Sequence, residues 1–483
     1  MKILNVVLML AMLLPPVFCV SCIQMDSVRF PTSASSSAAT TDATIALPPE
    51  QDLPAGGITI ATPYSTQAAE YIGMLYYARI MGVFPENTAF RIGDTVNLDE
   101  LAQFRDSFPI HALQTGQGGA GIDQLRTWAS SGTMPDIYLT DAVTRASIEG
   151  WAADLSGPSA QEKLISVSSI YPALAEGSKV GGRLYGIPAC FSVPLLYVDK
   201  TLADKFGMSI PLAGKWDFTQ FLTEAAKVQP KAQTDGGKTD AALFSATGLL
   251  AYLPAGQDSS LGWTAWNGKK FNFALPAFLT SAERVESLAS SGVSADRMAG
   301  VDGPLQPEDK RAIYSGVSVM RIGDSRQLAA ERNLHGNTLG LARLPYEGSE
   351  RISTHVYSLC VSPNAVKTST IVDFAAFFAL DPDALLLAAR FGVQDGFMPV
   401  SRDNHVWERL VGDQSYGYFL QSYRTLLDMA YTDVTAGTPI WTSHTADAFL
   451  TTEKSLLSGD LTARQAVDRL VAETSMEAGA AAK

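Results

Sequence analysis

The chain has 483 residues, too many for one hydrophobic core, and its length suggests two or three folded units. Apolar residues make up 46 % and charged residues 18 %, the balance of a globular protein rather than of a chain that stays unfolded. The formal net charge of −13, with no cluster of Lys and Arg, excludes nucleic acid as a partner, because phosphate contacts need grouped cations.

The first segment reads as an export signal. Lys2 precedes an apolar run from Ile3 to Leu14, closed by Pro15 and Pro16, which is short for a membrane span and has the shape of a secretory leader. Val20-Ser21-Cys22 then places a small residue directly before a cysteine and resembles a bacterial lipobox, so Cys22 is the expected lipidation site. Cys19, preceded by the bulky Phe18, does not fit that role. Met25 to Gly57 is rich in Ser, Ala, Thr and Pro and reads as a flexible tether; at random-coil dimensions about 33 residues hold a folded body roughly 30 Å from a bilayer. Of the four cysteines, Cys190 and Cys360 are expected to be buried free thiols, and none of the four has metal-ligand spacing.

From residue 57 onward strands and helices alternate. Strands are expected at Gly57–Thr62, Ile110–Thr115, Asp136–Thr140, Leu195–Val198, Val317–Arg321 and Tyr357–Ser362. Helices are expected at Gln67–Met81, Ile122–Ser130, Phe218–Val228, Ile371–Ala379 and Asp383–Phe391, and the pattern from Tyr416 onward is wholly helical. Strands separated by helices argue for parallel-sheet α/β units. Asn267-Gly268 between Trp266 and Lys269 marks a hairpin turn, which Trp263 and Trp266 are expected to pack.

Five segments, in one order, resemble the family 1 extracellular solute-binding proteins of ABC importers, the maltose-binding-protein type. The first is Ser130 to Tyr138 with Gly150 to Leu155. The second is Arg183-Leu184-Tyr185-Gly186-Ile187-Pro188 leading to Leu196-Tyr197-Val198-Asp199-Lys200 and Lys215-Trp216-Asp217-Phe218. The third is Tyr314 to Asp324, the fourth Leu359 to Ala365 with Phe374 to Phe378 and Pro399-Val400, and the fifth Pro439, Trp441 and Gly459-Asp460-Leu461-Thr462. Together they span most of residues 56–475. The resemblance implies an α/β, two-lobed periplasmic-binding-protein fold (class II), hinge-linked, each lobe a central sheet flanked by helices. Lobe one is expected at 56–190 and 350–398, lobe two at 191–349 and 399–475, with a tail at 476–483. It further implies a monomeric binding protein rather than an enzyme, lipid-anchored outside a bacterial membrane, without cofactor or metal. Such a protein captures a small solute, expected to be a sugar or oligosaccharide, between its lobes and delivers it to an ABC permease.

A transported solute is bound reversibly and handed on intact, which calls for aromatic platforms and hydrogen-bonding side chains in a cleft. Tyr64 and Asp141 end strands at their carboxyl ends, where open α/β sheets bind ligands. Phe191 and Ser192 stand at the expected first crossover between lobes, and Tyr357 near the return crossover. Tyr252 and Gln257, Arg321 and Asp324, and Trp441 are placed in the cleft by the resemblance. Each has a structural alternative: an aromatic on an apolar stretch is more often core, Asp141 can cap the helix that follows, and Arg321 can form a surface ion pair.

Two motifs point elsewhere. Gly116-Gln117-Gly118-Gly119-Ala120-Gly121 is a literal G-x-G-x-x-G, with Asp136 and Asp141 near the position of a ribose-binding acid, and suggests a nicotinamide-dependent oxidoreductase as a remote alternative. Against it, the chain is exported and His111-Ala112-Leu113-Gln114-Thr115 is not a continuous apolar strand. A flexible loop over the cleft is the simpler reading. Residues 69–104, with the core Met81 to Glu100, resemble one S-layer-homology repeat and suggest cell-envelope attachment as the second alternative. Leu98 stands where that family carries an arginine, so a structural insert in lobe one is the favoured role.

Overall fold

The computed structural model describes residues 56–83, 98–116, 118–157, 170–212, 214–228, 246–291, 318–365, 369–391, 398–404, 406–407, 417–435, 437–438 and 440–481. The leader, Cys19, Cys22, the tether up to residue 55 and residues 84–97 of the S-layer-homology-like segment lie outside the described residues. Among the described residues no helix is long and apolar enough to cross a membrane.

The body opens with strand β1 (Ile58–Thr62) and helix α1 (Thr66–Ile80), which starts where the Ser65 hydroxyl accepts the Ala68 N–H at 3.2 Å. Strand β2 (Ile110–Gln114), helix α2 (Ile122–Ser131) and strand β3 (Ile137–Thr140) follow. Gly132, at φ 69°, stops α2 in the left-handed conformation that glycine adopts without strain. Asp136, one residue before β3, accepts the Thr59 N–H at 2.8 Å and so locks the entry of β3 to β1. Strands β4 (Ile187–Ser192) and β5 (Pro194–Asp199) come next, then helices α3 (Phe218–Ala225), α4 (Leu249–Gln257) and α5 (Pro276–Ser290). Strands β6 (Met320–Asp324), β7 (Leu339–Ala342) and β8 (Ile352–Val361) precede helices α6 (Ser369–Leu380) and α7 (Pro382–Arg390). Strands β9 (Met398–Pro399) and β10 (Ala430–Thr432) and helices α8 (Ser443–Ser458) and α9 (Ala463–Ala481) complete the labelled elements.

Two sheets carry the fold. The larger has the order β9-β4-β8-β3-β1-β2, with β10 added beside β8; the smaller has the order β6-β5-β7. The chain passes from one to the other between Ser192, the last residue of β4, and Pro194, the first of β5. Val193 alone forms this crossover. It is fixed by a reciprocal pair: the Ser325 N–H donates to the Val193 carbonyl at 2.9 Å and the Val193 N–H to the Ser325 hydroxyl at 3.2 Å. The return runs from β7 to β8 through residues 343–351.

Alternation of strands and helices predicts parallel sheets, and the structure corrects this. β1 pairs in parallel with β2 and β3, and β8 with β10, but β8 runs antiparallel to both β3 and β4, and the small sheet has only antiparallel pairs. Sequence periodicity reports that a strand exists, not the direction from which a returning chain enters the sheet. A second correction concerns the stretch after Tyr416, expected to be wholly helical. Ala430–Thr432 forms a strand beside Ile352–Thr354, three residues being too few for a periodic signal. Among the described residues β6 runs from Met320, the expected start at Val317 lying outside them, and β8 starts at Ile352, five residues before the expected Tyr357.

Separate apolar cores stabilise the two sheets. Ile60, Leu75, Ile137, Leu359 and Phe374 are fully buried around the large sheet, where α1 and α6 pack. Ala69 to Ile80 of the S-layer-homology-like segment belong to α1, which puts Ile72 and Leu75 into this core. Trp216, Phe221, Phe273, Phe278 and Leu456 fill the second core, against β5 and β6. Burying such side chains contributes about 1.5–3 kcal/mol each. A third cluster, with Phe191, Leu195, Tyr197 and Trp407, spans the crossover itself. Cys190 and Cys360 are free and buried, as expected.

The hairpin at Asn267-Gly268 is present, with Trp266 bridged to Phe271 and the Asn267 side chain accepting the Lys269 and Lys270 N–H groups. Gly119 is a sterically fixed position: φ is 75°, and a β-carbon there would lie 2.5 Å from the Leu139 carbonyl oxygen. Gly119→Ala is therefore expected to destabilise the protein by about 1–3 kcal/mol, read as a lowered urea midpoint with unchanged slope. A midpoint equal to that of the parent would show that the loop moves away from β3 at no cost.

Candidate ligand-binding site

Where β3 ends, the chain is held by its own loop. Thr140 donates its hydroxyl to the Ala120 carbonyl at 2.8 Å, and the Ala120 N–H donates to the Leu139 carbonyl at 2.7 Å. This lays Gly116–Gly121 along the strand end and presents Asp141, the next residue, beside it. At Ala120 the loop is tied to the end of β3, while Gln117 lies outside the described residues.

Strand β8 supplies the next wall. His355 and Tyr357, two residues apart, lie on one face, with ring centroids 6.0 Å apart. His355 Nδ1 is 3.3 Å from an Asp433 carboxylate oxygen. Asp433 is itself fixed, its N–H donating to the Thr354 carbonyl at 2.7 Å and its other oxygen accepting the Thr435 N–H at 2.7 Å. The Trp263 indole lies flat on the His355 ring, 5.2 Å between centroids and 10° between planes. Thr264 and Ala265, which follow it, adopt φ of 54° and 56°, conformations that cost L-residues energy and persist only where surrounding packing imposes them.

The small sheet adds the opposite wall. Asp324, at the end of β6, accepts the Ser192 hydroxyl at 3.0 Å through one oxygen and the Arg326 N–H and Nε–H at 2.8 and 2.9 Å through the other. Tyr197 donates its hydroxyl to the Asp324 carbonyl at 2.8 Å. So anchored, the Arg326 guanidinium stands 5.4 Å over the Tyr357 ring, and its Nη1 is 3.6 Å from the position a β-carbon on Gly118 would take. Arg326 therefore joins the end of the small sheet to the glycine loop and to β8 of the large one.

Burial is the main electrostatic influence here. It raises the Asp141 carboxyl above its ordinary range; Asp433 raises it further, while His355 and Arg326 act in the opposite direction. Burial likewise pushes the Tyr357 hydroxyl well above the ordinary value. Among the described residues no group of three or more His, Cys, Asp or Glu side chains is placed to hold a metal ion. The cluster offers hydrogen-bond donors and acceptors of both charge signs beside aromatic faces, a set suited to orienting a polar solute.

Of the ten sequence-derived candidates, Asp141, Ser192, Asp324 and Tyr357 meet in this cluster. Tyr64 does not: it is buried and stacks on Phe378 at 5.2 Å in the large-sheet core. Phe191 is buried against Trp407, and Tyr252 sits behind Trp263, edge-on at 6.0 Å. Gln257 donates to the Ser281 hydroxyl at 3.0 Å. Arg321 forms a buried ion pair with Glu331, not a surface one, and lies over the Tyr197 ring. Trp441 packs on Phe271 and Phe449. Trp263, expected to pack the hairpin with Trp266, stacks on His355 instead, because the left-handed residues after it turn the chain.

Trp263, Arg326, His355 and Asp433 were missed by the sequence reading. His355 had a signal, standing one strand period before Tyr357, and Arg326 follows Asp324 at the same interval. Two small surface depressions run along the return segment and share Leu344, Tyr346, Arg351 and Ser353. Neither is lined by Asp141, Arg326 or His355.

No family profile matches the chain. Its fold is shared with solved structures of low sequence identity. An ABC substrate-binding protein from Listeria monocytogenes in complex with cycloalternan superposes with a TM-score of 0.63 at 15% identity, over 88% of this chain and 99% of that one. The cyclic α-maltosyl-1,6-maltose binding protein from Arthrobacter globiformis gives 0.63 at 15%, over 87% and 98%. The sugar-binding protein of Xanthomonas citri gives 0.63 at 12%, over 88% and 98%. The chain has the two-lobed periplasmic-binding-protein fold. The cluster just described brings together residues at the ends of both sheets.

The raised Asp141 carboxyl has a consequence for stability. A carboxyl whose pKa is higher in the folded state favours folding below its unfolded value, about 4, and that contribution is lost as pH rises through the folded value. Asp141→Asn is expected to unfold at higher urea than the parent at neutral pH, with the difference shrinking as pH falls through the raised folded value and gone below about 4. A destabilised variant at neutral pH would mean that the Arg326 and His355 contacts outweigh burial.

Proposed function

We propose that this chain is the extracytoplasmic substrate-binding lipoprotein of an ABC importer, capturing a sugar or oligosaccharide between its two lobes and delivering it intact to the permease. The observation that carries this reading is the placement of Asp141, Trp263, Arg326, His355 and Tyr357: polar and aromatic groups from both sheets converge beside a one-residue crossover. A solute seated among them touches both halves at once, and contacts made to both halves together are those that favour closure. The sugar-binding proteins that share the fold support the choice of solute class. We place lobe one at 56–190 and 350–398 and lobe two at 191–349 and 399–475; the passage between sheets at Val193 supports the first boundary to within three residues, whereas Ala430–Thr432, in the second stretch of lobe two, pairs with β8 of the large sheet. Val20-Ser21-Cys22 supports lipid attachment at Cys22, with the following segment as tether.

A thermal-shift screen over mono- and oligosaccharides, polyols and amino acids tests the proposal. A cognate solute at about 100 times its Kd adds about 2.7 kcal/mol to the folded state and raises the Tm by several degrees. If no solute in a broad panel moves the transition, the transport reading fails. In bacterial cells fed labelled palmitate, the parent chain is expected to take up label and Cys22→Ala none; equal labelling of both would remove the lipoprotein part.

A further inference from the structure

The turn that carries Trp263 is tied to the large sheet by a residue outside the cluster. Arg351 closes the return segment, one residue before β8 begins. Its Nη1 donates to two carbonyls at once, that of Ala255 near the end of α4 at 2.9 Å and that of Leu261, two residues before Trp263, at 2.8 Å. Ser349 adds two bonds to the Gly256 carbonyl, at 2.8 and 2.9 Å, but these stop at the end of α4. Tyr431, the partner of Ser353 in β10, places its ring 4.5 Å from the Arg351 guanidinium. The Tyr431 hydroxyl donates to the Tyr252 carbonyl at 3.4 Å, and the Thr435 hydroxyl to the Trp263 carbonyl at 3.5 Å. Both are longer than the two bonds from Arg351. The Trp263 indole is not held by its polar edge, since its Nε1 is buried with no acceptor among the described residues.

Resting on the reading above, we propose that Arg351 is a positioning residue for the solute platform, holding the Trp263 indole flat on His355 and in register with β8. The tie is needed because α4, which leads to Trp263, packs through Leu249, Leu250 and Leu253 in the core of the small sheet, whereas His355 belongs to the large one. The left-handed residues Thr264 and Ala265 set the shape of the turn, and Arg351 sets its place. Arginine suits the task. One nitrogen with two hydrogens serves two carbonyls, and the planar group can pack on the Tyr431 ring, which a lysine ammonium cannot reproduce. The cation also meets the carbonyl end of α4, where the helix dipole is negative.

Fluorine NMR of the purified chain labelled with fluorotryptophan tests this. The chain has seven tryptophans, and the signal lost in Trp263→Phe identifies Trp263. That signal is expected to shift in His355→Ala, which removes the ring stacked on it, and to shift in the same direction in Arg351→Met. With His355→Ala already present, Arg351→Met should add little. Arg351→Lys should give a smaller shift than Arg351→Met, and it carries the test should the methionine variant not fold, as judged by urea unfolding. Arg343→Met is the control: it removes a cation of the same return segment that bonds to Glu350 and the Ser422 carbonyl instead of the turn, and should leave the signal in place. A Trp263 signal unmoved by the Arg351 variants or by His355→Ala, or moved equally by Arg343→Met, would overturn the proposal. No solute is needed, so a failed thermal-shift screen sinks the transport reading alone and leaves this result standing.

Discussion

The physical constraint on which the structure depends is the single residue between β4 and β5. Val193 is the whole of the first connection between the sheets, and Ser325 is bonded to both its N–H and its carbonyl, which ties the two sheets closely at this point. Backbone freedom at such a joint is confined to a few dihedral angles, so relative movement is rotation about a defined place. The same joint brings Ser192 to Asp324 and lets Asp324 aim Arg326 toward the glycine loop. The crossover thus positions the Ser192, Asp324 and Arg326 part of the cluster. The third apolar cluster, which has Phe191 on one side of Val193 and Leu195 on the other, gives the joint a packed backing.

Burial and charge act against each other in the cleft, and burial prevails at Asp141. A carboxylate near a guanidinium and an imidazole would ordinarily be held in its charged form, yet loss of water dominates over both neighbours. Polar groups left short of partners in a sheltered position are the usual mark of a place meant for an outside molecule. Elsewhere buried charges are paired: Arg79 with Asp381 and Asp383, and Arg321 with Glu331.

Much of the element pattern was legible in the sequence, because strand and helix periodicities are local. The ends of α1, β2, α2 and β5 fall within a residue or two of expectation, and Pro135-Asp136 announced β3 through the bond its carboxylate makes to Thr59. Strand direction was not legible, since β8 re-enters the large sheet from the small one and nothing in its residues records that path. At the site, residues at strand ends were found and residues on connecting segments were not. Asp141 and Asp324 close strands, whereas Trp263 and Asp433 reach the cleft through turns whose geometry no periodicity encodes. The aromatic candidates misled because Tyr64, Phe191 and Trp441 sit in apolar surroundings that serve core and cleft alike.

The backbone at Thr264 and Ala265 gives the cleft a particular kind of rigidity. Both side chains are buried, so the left-handed turn cannot unwind without exposing them, and the indole that precedes it is clamped in orientation as well as in position. Glycine at either place would relieve the torsional load and let the ring swing. A tilted platform would accept more ligand shapes and hold each less firmly. Two residues that never touch the stacked His355 ring thus decide how firmly the indole is held against it.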